Sequence, residues 1–184
     1  MTHALIVIDY TVDFVADEGK LTCGEPAQAL DSYISRLMNG FYSGGDYVII
    51  ANDTHEQDDP FHPETKLFPP HNIKGTKGRE LYGEVKTARD QLKDGDRFYE
   101  FDKTRYSAFA GTKLELYLRE RGIEELHLVG VCTDICVLHT AVDAYNKGFR
   151  LVIHEGGVAS FDQKGHEWAL GHFENTLGAK VLKK

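Results

Sequence analysis

The feature of this sequence that constrains its fold most is the regular alternation of short apolar runs with longer amphipathic segments. The apolar runs have the length and composition of strands that are buried on both faces of a sheet. They predict strands at residues 4–8, 47–51, 125–131 and 150–154, with a weaker candidate at 97–101 and a short strand at 180–182.

The segments between these strands carry apolar residues at helical spacing and end at glycine, which is a common helix stop. They predict helices at residues 27–42, 134–147 and 163–176, and another that begins near Thr112 and ends at Gly122. Thr112 and Glu115 have the three-residue separation of a capping box. Strands that alternate with helices in this way predict an α/β fold, in which helices cover both faces of a parallel sheet. No repeat or linker divides the chain, so we expect one domain over residues 1–184.

The charge and cysteine content narrow the class of protein. The formal net charge is -8, which argues against a nucleic-acid or anionic-membrane partner, because both require a basic face. No apolar stretch reaches the length of a signal peptide core or a membrane span. Three cysteines are an odd number in a chain that needs no disulfides. We therefore expect a cytoplasmic protein with free thiols.

Reactive side chains follow four of the predicted strands at the point where each strand ends. They are Asp9 after strand 4–8, Asp53 and His55 after strand 47–51, Lys103 after strand 97–101, and Cys132 and Cys136 after strand 125–131. Ligands of open α/β sheets bind beyond the carboxyl ends of the strands. A carboxylate, a carboxylate–imidazole pair, an ammonium and a thiol are thus expected at one edge of the sheet.

Cys136 is the candidate nucleophile at this edge. It falls in the first turn of the predicted helix 134–147, where unpaired backbone N–H groups and the helix dipole favour a thiolate. Lys103 favours it further, and Asp9 can accept the thiol proton and pass it to a leaving amine. N–H groups at this turn can hold a tetrahedral oxyanion. The alternative is structural: Cys136 acts only as a small hydrophobe, Asp9 caps a turn and Lys103 is solvated.

The loop 52–71 carries a candidate metal site. Asp53 and His55 are two residues apart at a strand end, so both can point to one side. Three further candidate metal ligands lie in the proline-rich part of the loop: His62, Glu64 and His71. Mixed histidine and carboxylate ligands suit zinc, manganese or iron better than calcium. The alternative is a polar loop with capping aspartates.

Several segments resemble, in order and over nearly the whole chain, the nicotinamidases of the isochorismatase-like cysteine hydrolases. They are IDYTVDF (8–14), NDTHEQDDPFHPE (52–64), KLFPPH (66–71), DKTRYSAFAGT (102–112) and GVCTDICVLHTAVDAYNKG (130–148). The GVCTDICV segment is typical of the superfamily, and the D-x-H loop with FPPH is the more specific sign of a nicotinamidase. The resemblance implies a three-layer fold, with a six-stranded parallel sheet flanked by helices.

The resemblance also implies a catalytic triad of Asp9, Lys103 and Cys136. It implies a cis peptide between Val131 and Cys132, which turns the backbone amides of Cys132 and Cys136 into the oxyanion hole. The aromatic walls of the substrate pocket would be Phe14, Phe68 and Tyr106. In this family the thiolate attacks the amide carbon, ammonia leaves, and water hydrolyses the resulting thioester.

The metal site implied by the resemblance holds one divalent ion per chain, zinc first, with manganese or iron as alternatives. Its ligands would be Asp53, His55 and His71, with Glu64 bound directly or through water and His62 as a further possible ligand. The metal would take the pyridine nitrogen of the substrate. The implied reaction is nicotinamide hydrolysis in NAD salvage, with pyrazinamide as a possible second substrate, by a homo-oligomer (dimer or tetramer).

Three other functions compete with this interpretation. An amide or ureido hydrolase of the same superfamily would keep the cysteine triad but usually lack the metal loop. A metal hydrolase that attacks with metal-bound water would form no thioester. A non-catalytic binding protein on this fold would have no activity on small amides.

Overall fold

Six strands form one parallel sheet in the computed structural model of this protein, which describes residues 2–92, 95 and 97–183. They are β1 (His3–Ile8), β2 (Tyr47–Asp53), β3 (Phe98–Lys103), β4 (Glu125–Val131), β5 (Arg150–Ala159) and β6 (Lys180–Leu182). Their spatial order is β3-β2-β1-β4-β5-β6, and every neighbouring pair is parallel. The predicted α/β fold with a six-stranded sheet is confirmed.

Helices cover both faces of this sheet. One face packs against α1 (Val12–Val15), α2 (Glu25–Gln28), α3 (Asp31–Gly44) and α4 (Gly83–Gln91), and the other against α5 (Leu114–Glu120), α6 (Leu138–Asn146) and α7 (Gln163–Asn175). Successive β1 residues point to opposite faces, so Leu5 and Val7 join the first core while Ile6 and Ile8 join the second. All four are fully buried, which explains why the strand is apolar throughout.

The order of the strands places a crevice between β1 and β4. The chain runs from β1 outward to β2 and β3, then crosses back to β4 and continues outward on the other side. Neighbouring connections leave β1 and β4 in opposite directions, which opens a gap at their carboxyl ends. Residues just after Ile8 and Val131 therefore lie at this crevice, where ligands of open α/β sheets bind.

Gly130 allows β1 and β4 to approach closely at this crevice. Its φ is +118°, a conformation that side chains rarely adopt. A Cβ atom there would lie 2.0 Å from the carbonyl oxygen of Ile8. Glycine is thus required at residue 130, near the carboxyl end of β4.

Several details of the predicted elements are wrong. Residues 27–42 are split between α2 and α3, and two further helices, α1 and α4, were not predicted. Strand β5 continues to Ala159 rather than ending at His154. The capping box is absent, because the Thr112 hydroxyl donates to the Ala108 carbonyl and accepts from Leu114 N–H, while Glu115 pairs with Lys147 at 2.7 Å.

Candidate active site

Asp9 and Lys103 form a buried ion pair at the carboxyl edge of the sheet. Asp9 follows β1, Lys103 ends β3, and both are almost completely buried. The Lys103 Nζ lies 2.9 Å from Asp9 Oδ2 and donates to the Arg105 carbonyl at 2.9 Å. The other carboxylate oxygen, Oδ1, accepts the Asp53 N–H at 2.6 Å. Lys103 is therefore not the solvated surface lysine of the structural alternative.

Cys136 lies beside this pair. It belongs to the π-helical turn Thr133–Val137, which joins β4 to α6, and its thiol is close enough to the Asp9 carboxyl group for each to shift the pKa of the other. The peptide between Val131 and Cys132, just before the turn, is cis, as the resemblance implies. The structure thus brings Asp9, Lys103 and Cys136 together from three separate strand ends.

The protonation states of this cluster differ from the expectation of a resting thiolate. Burial raises the pKa of the Cys136 thiol well above its ordinary value, the Asp9 charge raises it further, and Lys103 opposes both. Burial also raises the pKa of Asp9 to about 6, against the lowering effect of the Lys103 ammonium. For the thiol, burial and the neighbouring carboxylates outweigh the lowering effect of Lys103 on its pKa. At neutral pH the resting pair is a thiol next to a carboxylate that can accept its proton.

The four predicted metal ligands converge in the neighbouring loop. One donor atom each from Asp53, His55, Glu64 and His71 lies within 4.8 Å of the other three, and all four residues are buried. The Nε2 of His71 lies 3.4 Å from Asp53 Oδ2 and 3.6 Å from Glu64 Oε2. Ligand atoms about 2.1 Å from a tetrahedral zinc are about 3.4 Å apart. These two distances fit such an ion, while the Nε2 of His55 lies closer, 2.7 Å from Asp53 Oδ2, where the two side chains hydrogen-bond.

Two further observations favour a cation at this cluster. The Nε2 of His71 is buried without a hydrogen-bond partner, while its Nδ1 lies 2.8 Å from the Pro69 carbonyl. Burial alone would lower the pKa of His71. The facing carboxylates of Asp53 and Glu64 raise it instead, to about 10. The pKa of Asp53 is lowered despite its burial, by His55, His71 and Lys103. The site has a surplus of negative charge, which a bound metal would neutralise.

His62, the further possible ligand, has neither ring nitrogen available. Its Nε2 lies 2.8 Å from the Thr104 carbonyl, and its Nδ1 accepts the N–H of Glu64 at 3.2 Å. His62 instead holds the short 3₁₀ turn Pro63–Lys66 in place. Its contribution is to position Glu64, not to bind metal.

Sequence reasoning missed the residues that support the metal ligands. The Asn72 side chain donates to Asp53 Oδ2 at 3.4 Å and accepts from the Thr11 hydroxyl at 2.8 Å. The Asn72 N–H donates to Asp13 at 2.8 Å. Such outer partners orient ligands and tune a metal site. The available signal was the asparagine directly after His71, since asparagine tolerates the left-handed backbone that it adopts here (φ +46°).

An apolar pocket joins the thiol to the metal cluster. The predicted wall residues Phe14, Phe68 and Tyr106 all line it. The remaining lining residues are Leu21, Asp53, Glu64, Cys132, Ile135, Cys136 and Phe161. Phe161 was missed because β5 was predicted to end at His154, which hid the position of Phe161 just beyond the carboxyl edge. A flat aromatic amide entering this pocket would contact both centres.

Among the described residues, no helix combines the length and apolarity that a membrane crossing requires. The three cysteines are free and buried. The Sγ atoms of Cys23 and Cys132 are 3.4 Å apart, so Cys132 has a thiol neighbour other than Cys136.

Comparisons with known proteins match the sequence and the fold of this chain. The family model described as the isochorismatase domain matches residues 3–183. A crystal structure of the nicotinamidase/pyrazinamidase PncA from Bacillus subtilis is 61% identical, with a TM-score of 0.96 over 98% of this chain and 99% of that one. The pyrazinamidase/nicotinamidase of Streptococcus mutans is 51% identical, with a TM-score of 0.96 over 98% and 100%. The pyrazinamidase of Pyrococcus horikoshii, solved in complex with zinc, is 25% identical, with a TM-score of 0.84 over 100% of both chains.

Proposed function

The chain belongs to the isochorismatase domain family, and from that premise we propose that it is a nicotinamidase, which hydrolyses nicotinamide to nicotinate and ammonia through a thioester on Cys136. One observation carries the proposal: a single apolar pocket is lined by the Cys136 thiol, beside its base Asp9, and by two members of a metal-ligand cluster. The likeness to two bacterial proteins named as nicotinamidases supports the choice of substrate.

The first step forms the thioester. Asp9 takes the Cys136 proton as the sulfur attacks the amide carbon, so the buried thiol becomes a thiolate only when substrate is present. The backbone amides of Cys132 and Cys136 stabilise the oxyanion. Asp9 then returns the proton to the departing ammonia. Its pKa of about 6 suits a group that must both accept and release a proton near neutral pH.

The second step hydrolyses the thioester. Asp9 is again the available base and removes a proton from water as it attacks the acyl carbon. The adduct then expels the Cys136 sulfur, which takes that proton back from Asp9, and nicotinate is released. The Lys103 ammonium, 2.9 Å from Asp9, stabilises the negative charge that moves between carboxylate and sulfur. Because Lys103 is fully buried, water does not weaken this interaction.

The aromatic side chains that line the pocket and the metal-ligand cluster together hold the substrate. A divalent metal on Asp53, His55, Glu64 and His71 would supply a Lewis acid for the pyridine nitrogen, and we propose zinc, with manganese or iron as alternatives. Phe14, Phe68 and Tyr106 would enclose the ring and exclude water. Pyrazinamide, which keeps the ring nitrogen and the carboxamide, is a possible second substrate.

We further propose a cytoplasmic role in NAD salvage. The three free thiols support a reducing compartment. A dimer or tetramer stays a prediction from the resemblance.

The direct test of the function is ammonia release from a panel of small amides, with and without chelator. Nicotinamide should be the preferred substrate, and chelation should suppress its hydrolysis. Preference for a ureido compound, or hydrolysis without metal, would contradict the proposal.

Asp53→Ala and His71→Ala are each expected to remove one equivalent of metal per chain and to weaken metal affinity by at least about 100-fold. Both side chains are buried donors, and each loss leaves an incomplete ligand set. Elemental analysis after desalting measures the change, and His172→Ala on α7 is the matched control. Full metal content in either ligand variant would overturn the assignment.

Phe68→Ala is expected to raise KM for nicotinamide by roughly fivefold, because loss of an aromatic wall removes about 1 kcal/mol of ring contact. Phe61→Ala provides a matched control on the same loop, since Phe61 is 91% exposed. Steady-state kinetics at saturating metal would show the effect. Equal KM values for the two variants would exclude Phe68 from the substrate pocket.

A further inference from the structure

A second group of histidine and carboxylate side chains lies at the opposite end of the sheet from the active site. Glu125 and His127 begin β4, and His3 begins β1. His3 is paired with Glu125 in the parallel register, and Leu5 with His127. Residues two apart on a strand share a face, so all three side chains lie on the same face of the sheet. Because two paired strands carry them, their relative positions are set by the backbone.

The donor atoms of this group have the spacing of metal ligands. The Nε2 of His3 lies 3.6 Å from Glu125 Oε1, and the Nε2 of His127 lies 3.3 Å from the same oxygen. One donor atom from each residue lies within 4.8 Å of the other two. Ligand atoms of a tetrahedral zinc with bonds of about 2.1 Å are about 3.4 Å apart. Both measured distances are close to this value.

The second nitrogen of each histidine ring already faces a partner. The Nδ1 of His127 lies 2.9 Å from His154 Nε2, and His154 continues to the Tyr33 hydroxyl at 3.1 Å. The Nδ1 of His3 lies 3.8 Å from Asp46 Oδ2, and Asp46 also accepts the His3 backbone N–H at 3.0 Å. In a metal-bound histidine the other nitrogen is commonly held by a carboxylate or another polar group. The Nδ1 of His127 is held in this way, whereas the separation at His3 is too long for a hydrogen bond.

The group can also be reached from solvent. The side chains of His3, Glu125 and His127 are 32%, 23% and 14% exposed. An ion can therefore enter without unfolding the sheet, and water can complete its coordination. The catalytic cluster differs in this respect, since its four ligands are buried.

We propose that His3, Glu125 and His127 form a second divalent-metal site, of the zinc class, with the fourth position open to water. The ion would link the starts of β1 and β4 and take no part in the hydrolysis. The competing arrangement needs no ion: a chain of hydrogen bonds from Tyr33 through His154 and His127 to Glu125. The two arrangements predict different numbers of bound metal ions.

The test counts Zn²⁺ in chelator-stripped protein that has been reloaded and desalted. The unmodified chain should bind two equivalents, and His71→Ala should retain one. Glu125→Gln should also retain one, with unchanged turnover, and the Glu125→Gln/His71→Ala double variant should retain none. His172→Ala is the matched histidine control and should bind two. A Zn²⁺ content of Glu125→Gln equal to that of the unmodified chain, or no Zn²⁺ in His71→Ala, would overturn the proposal.

A spectroscopic readout covers the case in which Glu125→Gln alters folding. Co²⁺ added to His71→Ala should produce the visible absorption of a tetrahedral ion, because only the second site remains. His3→Gln in the same background changes a partly exposed side chain and should abolish that band. An unchanged band would show that Co²⁺ binds elsewhere and would contradict the site. The outcome is independent of nicotinamidase activity, so it cannot be confused with failure of the proposed function.

Discussion

Cys136→Ala is expected to lower turnover of nicotinamide by at least about three orders of magnitude, because it removes the nucleophile that lies beside Asp9 and Lys103. The substitution removes only the sulfur from a buried position, so the fold should be kept. Metal content should not change, since the metal ligands lie at the end of β2 and on the loop that follows it. Steady-state ammonia release, metal analysis and a thermal melt together measure these three expectations.

Cys23→Ala is the matched control for this experiment. Cys23 is also a buried free thiol, and its sulfur contacts Cys132 rather than the reacting pair. Its loss should leave turnover near that of the unmodified chain. If Cys136→Ala retained substantial activity, attack by metal-bound water would be the better mechanism, and activity would then survive thiol alkylation.

Asp9→Asn is expected to lower turnover by roughly 10²- to 10⁴-fold, because the amide cannot accept the Cys136 proton. Asparagine has nearly the shape of aspartate, and its carbonyl oxygen can still accept the Asp53 N–H. The substitution also leaves the buried Lys103 ammonium without its partner, which should destabilise the fold by about 3–5 kcal/mol. Turnover should therefore be measured well below the melting temperature.

The Asp9→Asn/Lys103→Met double variant separates the two effects. Removal of both charges should recover much of the lost stability but none of the lost turnover. Asp31→Asn provides a control with a partly buried carboxylate far from the pocket, whose oxygens accept the N–H groups of Glu84 and Val85. It should keep normal kinetics. Normal turnover in Asp9→Asn would exclude Asp9 as the base, whatever its effect on stability.

The fold was predictable because its strands are apolar on both faces. Runs such as residues 4–8 and 47–51 can be buried only in a sheet that helices cover on both sides. Helix α4 was missed because only Val85 and Ala88 of its nine residues are buried, which leaves little periodicity to detect. The end of β5 was missed because Gly156 and Gly157 resemble a turn. In the structure Gly157 instead packs closely, and a Cβ atom there would lie 2.7 Å from Val129.

The candidate site was predictable to the extent that it follows strand ends. The position of Asp9, Lys103 and Cys136 at one edge follows from parallel pairing and needs no knowledge of loops. The protonation state of Cys136 was not predictable, since it depends on how completely the surrounding side chains exclude water. The support from Asn72 and Thr11 depends on a loop conformation that periodicity does not describe.

The central claim is that Cys136 becomes covalently attached to the acyl group of the substrate. The most direct measurement is intact and peptide mass spectrometry of protein quenched in acid during turnover of nicotinamide. We expect the mass of one nicotinoyl group on the peptide that contains Cys136, and its absence from Cys136→Ala. An unmodified peptide throughout turnover, with ammonia still released, would contradict the mechanism.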